Sequence, residues 1–330
     1  MRKLNLPLVG LVYFAILLLW FGHVSIVFAQ PQAPIQESAW LPQSRLFHET
    51  DHLSLVSSNV ITVYLPMVYG PPPPRKGVGA PVSPACVDQQ TLQASWYLNW
   101  RINPDPTCGA ENANKFVPRI SGVFDEGTLA QAVTNAQASG WLIGFSEPNL
   151  PWQGNLSPTQ GAVLWRQIEN AAIPAGVKLV SPSPNQYDPG QSDPYGHQWT
   201  WAMVDAYKAL YGPKPHFDAL GWNIYKRTPT EIQTYLNARR NEALARGYNV
   251  PFWILEYGGE CWSSSKNGNT SVMTSITPWF ETTPWIDRYA WFANRITGAE
   301  PYAPGWQSCS LINPSTGAPT SLGQIYVGYY

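Results

Sequence analysis

Two glutamates in this sequence stand where a carboxylate could do acid–base or nucleophilic chemistry. Glu147 closes the apolar run "GWLIGFSEPN" (140–149) and is followed at once by Pro148, which cannot donate to a strand ladder and so ends one. Glu256 lies in "PFWILEYGG" (251–259), again at the end of an apolar run. Glycoside hydrolysis needs such a pair. One carboxyl must be protonated to assist the departing oxygen, and the other ionised to attack the anomeric carbon or activate water. Glu260 competes with Glu256, but its place in a Gly-Gly loop beside Cys261 marks it as a loop residue. A lone Glu-Pro after a strand is usually just the start of a loop, so the pair has meaning only if the fold brings both residues to one place.

From Pro81 onward, short apolar runs alternate with longer amphipathic ones. The runs predict strands at 94–101, 116–122, 141–146, 178–183, 219–225, 252–257 and 289–294. Between them, "LSPTQGAVLWRQIENAAIPAG" offers Ser157 as N-cap, Pro158 at the first helical position and Gly176 past the end. "TPTEIQTYLNARRNEALARGYN" has Thr228 or Thr230 at its start, Glu231 in its first turn, and Ile232, Leu236 and Leu244 spaced for one face. Alternating strands and helices imply right-handed βαβ units and a parallel sheet. A doubly wound nucleotide fold would carry a Gly-rich turn after its first strand; here that position reads "RINPDPTCG". The expected architecture is therefore a (β/α)8 TIM barrel, with some helices reduced, and its site at the C-terminal strand ends. Seven strands are visible where a barrel needs eight. If the missing one precedes Trp141, the two glutamates fall on strands four and seven and share one mouth.

The remainder of the chain sets the context. Residues 1–29 carry Arg2, Lys3, a long apolar core and a small residue, Ala29, before Gln30. This reads as a secretory signal peptide, with an uncleaved membrane anchor as the alternative. Residues 30–80 read as a Pro-rich stalk, with one β-prone run near Val60–Val68 and a stiff polyproline spacer at Pro71–Pro74. Residues 81–330 form the barrel domain. Four cysteines allow three pairings; proximity favours Cys86–Cys108 with Cys261–Cys309, as staples in an oxidising compartment. No CxxC pair or ligand-spaced histidine suggests a metal, and no cofactor motif is present. A net charge of −1 with 12% charged residues leaves no basic stripe for nucleic acid. The 16 Trp and 17 Tyr suit sugar faces as well as an ordinary core. A monomer acting on a polysaccharide or oligosaccharide is the expectation.

The ordered set "WYLNW" (96–100), "FVPRISG" (116–122), "IGFSEPN" (143–149), "KLVSPSP" (178–184), "FDALGWNIY" (217–225), "PFWILEYG" (251–258), "RYAWFAN" (288–294) and "PTSLGQIY" (319–326) resembles the glycoside hydrolase catalytic core family typified by glycoside hydrolase family 128 endo-β-1,3-glucanases. The resemblance implies a retaining β-glycosidase, endo-acting on a β-1,3-glucan or related polymer, with Glu147 as acid/base and Glu256 as nucleophile. It places Asn99, Trp100, Asn223, Tyr225 and Trp291 on the substrate floor, and Ser146 beside the acid. Trp152 and Trp262, in the loops after each glutamate, are subsite-wall candidates by position alone. The sequence departs from the family pattern at Ser146 (Asn in the family), Asn223 (His) and Leu255 (Thr), which leaves the sugar and linkage open. Ser146 also makes a non-catalytic carbohydrate-binding barrel of the cell surface the alternative. For the acid role Glu147 must keep its proton near neutral pH, which an apolar pocket and the charge of Glu256 would favour.

Overall fold

The computed structural model describes residues 75–187, 196–261, 266–300 and 305–329. The expected signal segment, the stalk up to residue 74 and Trp262 lie outside them. Seven strands are present among the described residues: β1 (Lys76–Gly79), β2 (Trp96–Leu98), β3 (Trp141–Ile143), β4 (Lys178–Val180), β5 (Leu220–Tyr225), β6 (Phe252–Gly258) and β7 (Ile286–Phe292). β1 pairs in parallel with both β2 and β7, and β7, β6 and β5 follow in order. The single bridge Val180–Ala219 joins β5 to β4, and β4 pairs with β3. Bridges Arg119–Ile143 and Tyr97–Phe116 carry the circuit through residues 116–119 back to β2. Every neighbour is parallel and the ring closes through eight positions, so the architecture is a (β/α)8 barrel.

Two expectations need correction. Lys76–Gly79, assigned to the stalk, is the first barrel strand. "KGVG" carries no apolar run, and it becomes a strand because β2 and β7 supply a ladder on both sides. Residues 116–122, expected as a strand, make only two isolated bridges. With β1 restored, Glu147 follows the fourth barrel position and Glu256 lies in the seventh.

Helices follow the strands: α1 (Ala85–Thr91), α2 (Glu126–Ser139), α3 (Pro158–Ala172), α4 (Gln198–Tyr211), α5 (Pro229–Ala245), α6 (Lys266–Thr282) and α7 (Ser321–Val327). Only a 3-10 turn, Ala110–Lys115, follows β2, so one helix is reduced as expected. The starts obey local chemistry. Ser157 and Gln160 form a capping box with Pro158 at the first position of α3, and Thr228 and Glu231 do the same for α5. On α5, Ile232 and Leu236 are buried but Leu244 is 45% exposed; Ala243 takes its place on the inner face, because seven residues complete two helical turns and eight overshoot them.

Side chains of the barrel alternate between two cores. Trp96, Leu98, Val117, Ile143, Val180, Ala219, Trp253, Leu255 and Ala290 fill the inside, while Tyr97, Leu142, Leu179, Trp222, Ile254 and Tyr289 pack against the helices. Period-2 alternation puts Arg119 inside as well, one layer above Val117. Disulfides Cys86–Cys108 and Cys261–Cys309 are formed as expected. The second ties the loop after β6 to the 3-10 turn Trp306–Cys309 after β7.

Candidate active site

A cleft of about 810 Å3 opens over the strand ends, and both Glu147 and Glu256 line it. The two reach it by different backbone devices. Along β6, Trp253 and Leu255 point inward and Ile254 and Tyr257 outward, so strict alternation would bury Glu256 against the helices. The pairing register with β7 slips between Ile254 and Tyr257, and that irregularity turns Glu256 to the cleft. Glu147 instead sits just beyond β3 in the left-handed region, with φ +40°, uncommon for a residue with a side chain. Its N–H donates to Ser183 O at 2.9 Å and its C=O accepts from Leu150 N at 3.0 Å, which fixes the turn.

Glu256 is 6% exposed, and both of its oxygens accept hydrogen bonds. Trp100 Nε1 donates to Oε1 and Tyr225 OH to Oε2, each at 2.7 Å. Arg119 Nη1 stands 3.7 Å from Oε1. Trp100, with φ +61°, lies over the end of β1, where a Cβ on Gly79 would come within 2.7 Å of the indole; only glycine admits that approach. Arg119 is anchored from below: Nε donates to Gly144 O at 3.1 Å and Nη2 to Phe145 O at 2.9 Å. Burial brings its guanidinium down to about 10, against the pull of both glutamates.

Glu147 is 7% exposed. Its Oε1 accepts from Asn185 Nδ2 at 2.9 Å and from Asn223 Nδ2 at 3.1 Å. Burial pushes its carboxyl up to about 7, the negative charge of Glu256 adds to this, and the two amides and Arg119 pull the other way. One cleft thus holds a carboxyl that keeps its proton to near neutrality, and a second both of whose oxygens accept hydrogen bonds.

Of the residues expected at the site, Asn99, Trp100, Ser146, Trp152 and Tyr225 line the cleft with the glutamates. Asn99 spends its amide on its own loop, donating to Asn103 O at 3.0 Å and accepting from Arg101 N at 3.1 Å. Trp152 is 71% exposed. Asn223 does not line the cleft; it lies buried and reaches Glu147 instead of open space. Trp291 is not on the substrate floor. Its neighbour Ala290 takes the inward position, so the indole is wholly buried on the outer side, edge-on to Tyr257 at 4.9 Å and donating to Cys309 O at 2.8 Å. Glu260 pairs with Arg227 at 2.7 Å and does not line the cleft. Arg119 and Asn185 were not foreseen. Alternation from Val117 could have flagged Arg119, but no local signal marks Asn185. Among the described residues no cluster of three metal-ligating side chains occurs.

The family described as the Glycosyl hydrolase catalytic core matches residues 78–326. Among solved structures, a glycoside hydrolase family 128 (subgroup II) endo-β-1,3-glucanase from Pseudomonas viridiflava is similar at 27% identity and TM-score 0.62, over 78% of this chain and 98% of that one. A subgroup I endo-β-1,3-glucanase from Amycolatopsis mediterranei, in complex with laminaritriose and laminaribiose, aligns at 22% identity and TM-score 0.60, over 78% and 99%. A subgroup VI exo-β-1,3-glucanase from Aureobasidium namibiae aligns at 20% identity and TM-score 0.60, over 77% and 96%. These last two share the fold. Among curated proteins none matches the sequence.

Proposed function

The chain belongs to the glycosyl hydrolase catalytic core family, and we propose that it is a secreted, retaining β-glycosidase that cuts β-1,3-glucan internally. The observation that carries this reading is the unequal pair of glutamates in one cleft: Glu147 raised to about 7 by burial, and Glu256 held by an indole, a phenol and a guanidinium. In the first step Glu256 attacks the anomeric carbon, the glycosidic bond breaks, and the proton of Glu147 passes to the departing oxygen. In the second, Glu147, now a carboxylate, takes a proton from water. The water oxygen attacks the anomeric carbon and Glu256 leaves. Tyr225 and Trp100 hold the nucleophile in place through both steps.

The glucan preference and the internal mode of attack rest on similarity to the Pseudomonas viridiflava endo-β-1,3-glucanase. Export rests on the basic and apolar N-terminal segment and on the two disulfides, which persist in oxidising compartments.

Purified protein should release reducing ends from linear β-1,3-glucan with a fall in chain length that precedes monosaccharide release. Proton NMR of the first product should show the β-anomer. Initial α-anomer would overturn retention, and activity surviving in Glu256→Ala would overturn the assignment of the nucleophile. Full-length protein expressed in its source cells should be recovered outside the cytoplasm, and deleting residues 1–29 should retain it inside.

A further inference from the structure

Glu147 offers two oxygens, and the protein treats them differently. Oε1 accepts two amide N–H groups, from Asn185 at 2.9 Å and Asn223 at 3.1 Å. Among the described residues no donor reaches Oε2. A proton on Oε1 would have to displace one of two donors already in place, whereas a proton on Oε2 meets none. The orientation of the Asn185 amide is fixed independently of Glu147. Its Oδ1 accepts the Tyr187 N–H at 2.9 Å, an Asx-type turn that only a carbonyl oxygen can close, so the NH2 is the end that faces the carboxyl.

The loop carrying Asn185 is clamped by the turn that carries Glu147. Asn149 Oδ1 accepts the Asn185 N–H at 2.8 Å, while its Nδ2 donates to Tyr187 O at 2.8 Å and Asn185 O at 3.3 Å. Gly196 packs against the same carbonyls, where a Cβ would come within 2.0 Å of Asn185 O and 2.4 Å of Tyr187 O. Glu147, Asn149 and Asn185 thus form a closed circuit in which each fixes the next.

The geometry points to Asn185 as a positioning residue that, with Asn223, holds the acid proton of Glu147 on Oε2 and keeps Oε1 as the acceptor. The assignment rests on the acid role given to Glu147 above. In the bond-breaking step the proton leaves Oε2 for the departing glycosidic oxygen, and Oε2 keeps the electron pair. The resulting carboxylate is stabilised at Oε1 by both amides, so the same contacts that aim the acid also favour its conjugate base. Asn149 acts at one remove, by holding the Asn185 backbone.

A titration of the Glu147 carboxyl decides this without any turnover. Glutamate carboxyls are labelled with 13C, and the Glu147 resonance is assigned by its loss in Glu147→Gln. In Asn185→Ala the midpoint should rise by about one to two pH units, since a donor to the charged form is removed, and Asn185→Asp should raise it further through like charge. Asn149→Ala, which releases the Asn185 loop without adding charge, should shift it the same way by a smaller amount, and stands in should Asn185→Ala fail to fold. In turnover, the alkaline limb of kcat/KM should move with the titration while KM changes little. An unmoved midpoint in folded Asn185→Ala would overturn the assignment, whether or not the protein cleaves glucan. Shifted midpoints in a protein that cleaves no glycan would leave it standing and sink the hydrolytic reading instead.

Discussion

The surroundings of Glu147 and of Glu256 share the buried Arg119 and differ in almost everything else. Around Glu256 the partners are an indole, a phenol and a buried guanidinium, which engage both oxygens. Around Glu147 there are two neutral amides on one oxygen, and burial dominates its titration. The backbone differs too: a register slip within a strand delivers Glu256, and a left-handed residue past a strand delivers Glu147. Under the roles proposed above, the contrast teaches that two carboxylates are set apart when both oxygens of one are engaged by an indole, a phenol and a guanidinium while burial dominates the other.

The sharpest way to break the contrast is to delete each carboxyl in turn. Glu256→Ala should lower turnover on every substrate by roughly a thousandfold or more. Glu147→Ala should do so on glucan, by about 100- to 10,000-fold, yet retain much of its first step on aryl glycosides whose leaving groups need no proton. Equal losses on both substrates would mean the two roles are not divided as described.

Next in size is pH. The alkaline limb of kcat/KM should fall through about 7 as Glu147 loses its proton. The same group affects stability. Its folded-state value lies above the ordinary 4.5, so its contribution is fully present below the ordinary value and is lost as pH rises through about 7. Glu147→Gln should therefore raise the unfolding free energy relative to the parent at pH 8.5 more than at pH 4, by an increment on the order of 3 kcal/mol at most. A difference independent of pH, seen by calorimetry, would show that desolvation is not what sets this group.

Smaller is Tyr225→Phe, which takes one donor from Glu256. It should lower kcat about 10- to 100-fold, as loss of a hydrogen bond to a charged group does, without moving the alkaline limb set by Glu147. A shifted limb would mean that Tyr225 acts on Glu147 as well as on Glu256. The smallest expected change is in Trp152→Ala, an exposed indole in the loop that follows Glu147. KM for long glucans should rise a few-fold, as the loss of one stacking face would cause, with kcat unchanged. A fall in kcat instead would tie this loop to the Glu147 turn and not to binding alone.

Much of this molecule was legible along the chain. Ser157 and Thr228 announced their helices because a cap is satisfied within three residues. Glu147 and Glu256 announced themselves because each interrupts an apolar run. β1 was not legible: "KGVG" has two glycines, and its strand state is imposed by neighbours from both sides. Trp291 misled because an aromatic at a strand end suits a substrate floor, and only the placement of Ala290 shows which way the pleat faces. Arg119 was half legible through alternation from Val117. Asn185 gave no sign at all, since its partner lies 38 positions away.

By itself, then, the sequence determined where helices begin and which two carboxyl groups interrupt the apolar runs, because these depend on contacts within a few residues. The roles proposed for the two came from the family resemblance. The desolvation of Glu147 and the donors that reach Glu256, such as Trp100, 156 positions away, are set by the tertiary structure. Electric fields and hydrogen bonds act through space over a few ångströms, whatever the distance along the chain, so only the closed barrel could bring those groups within reach.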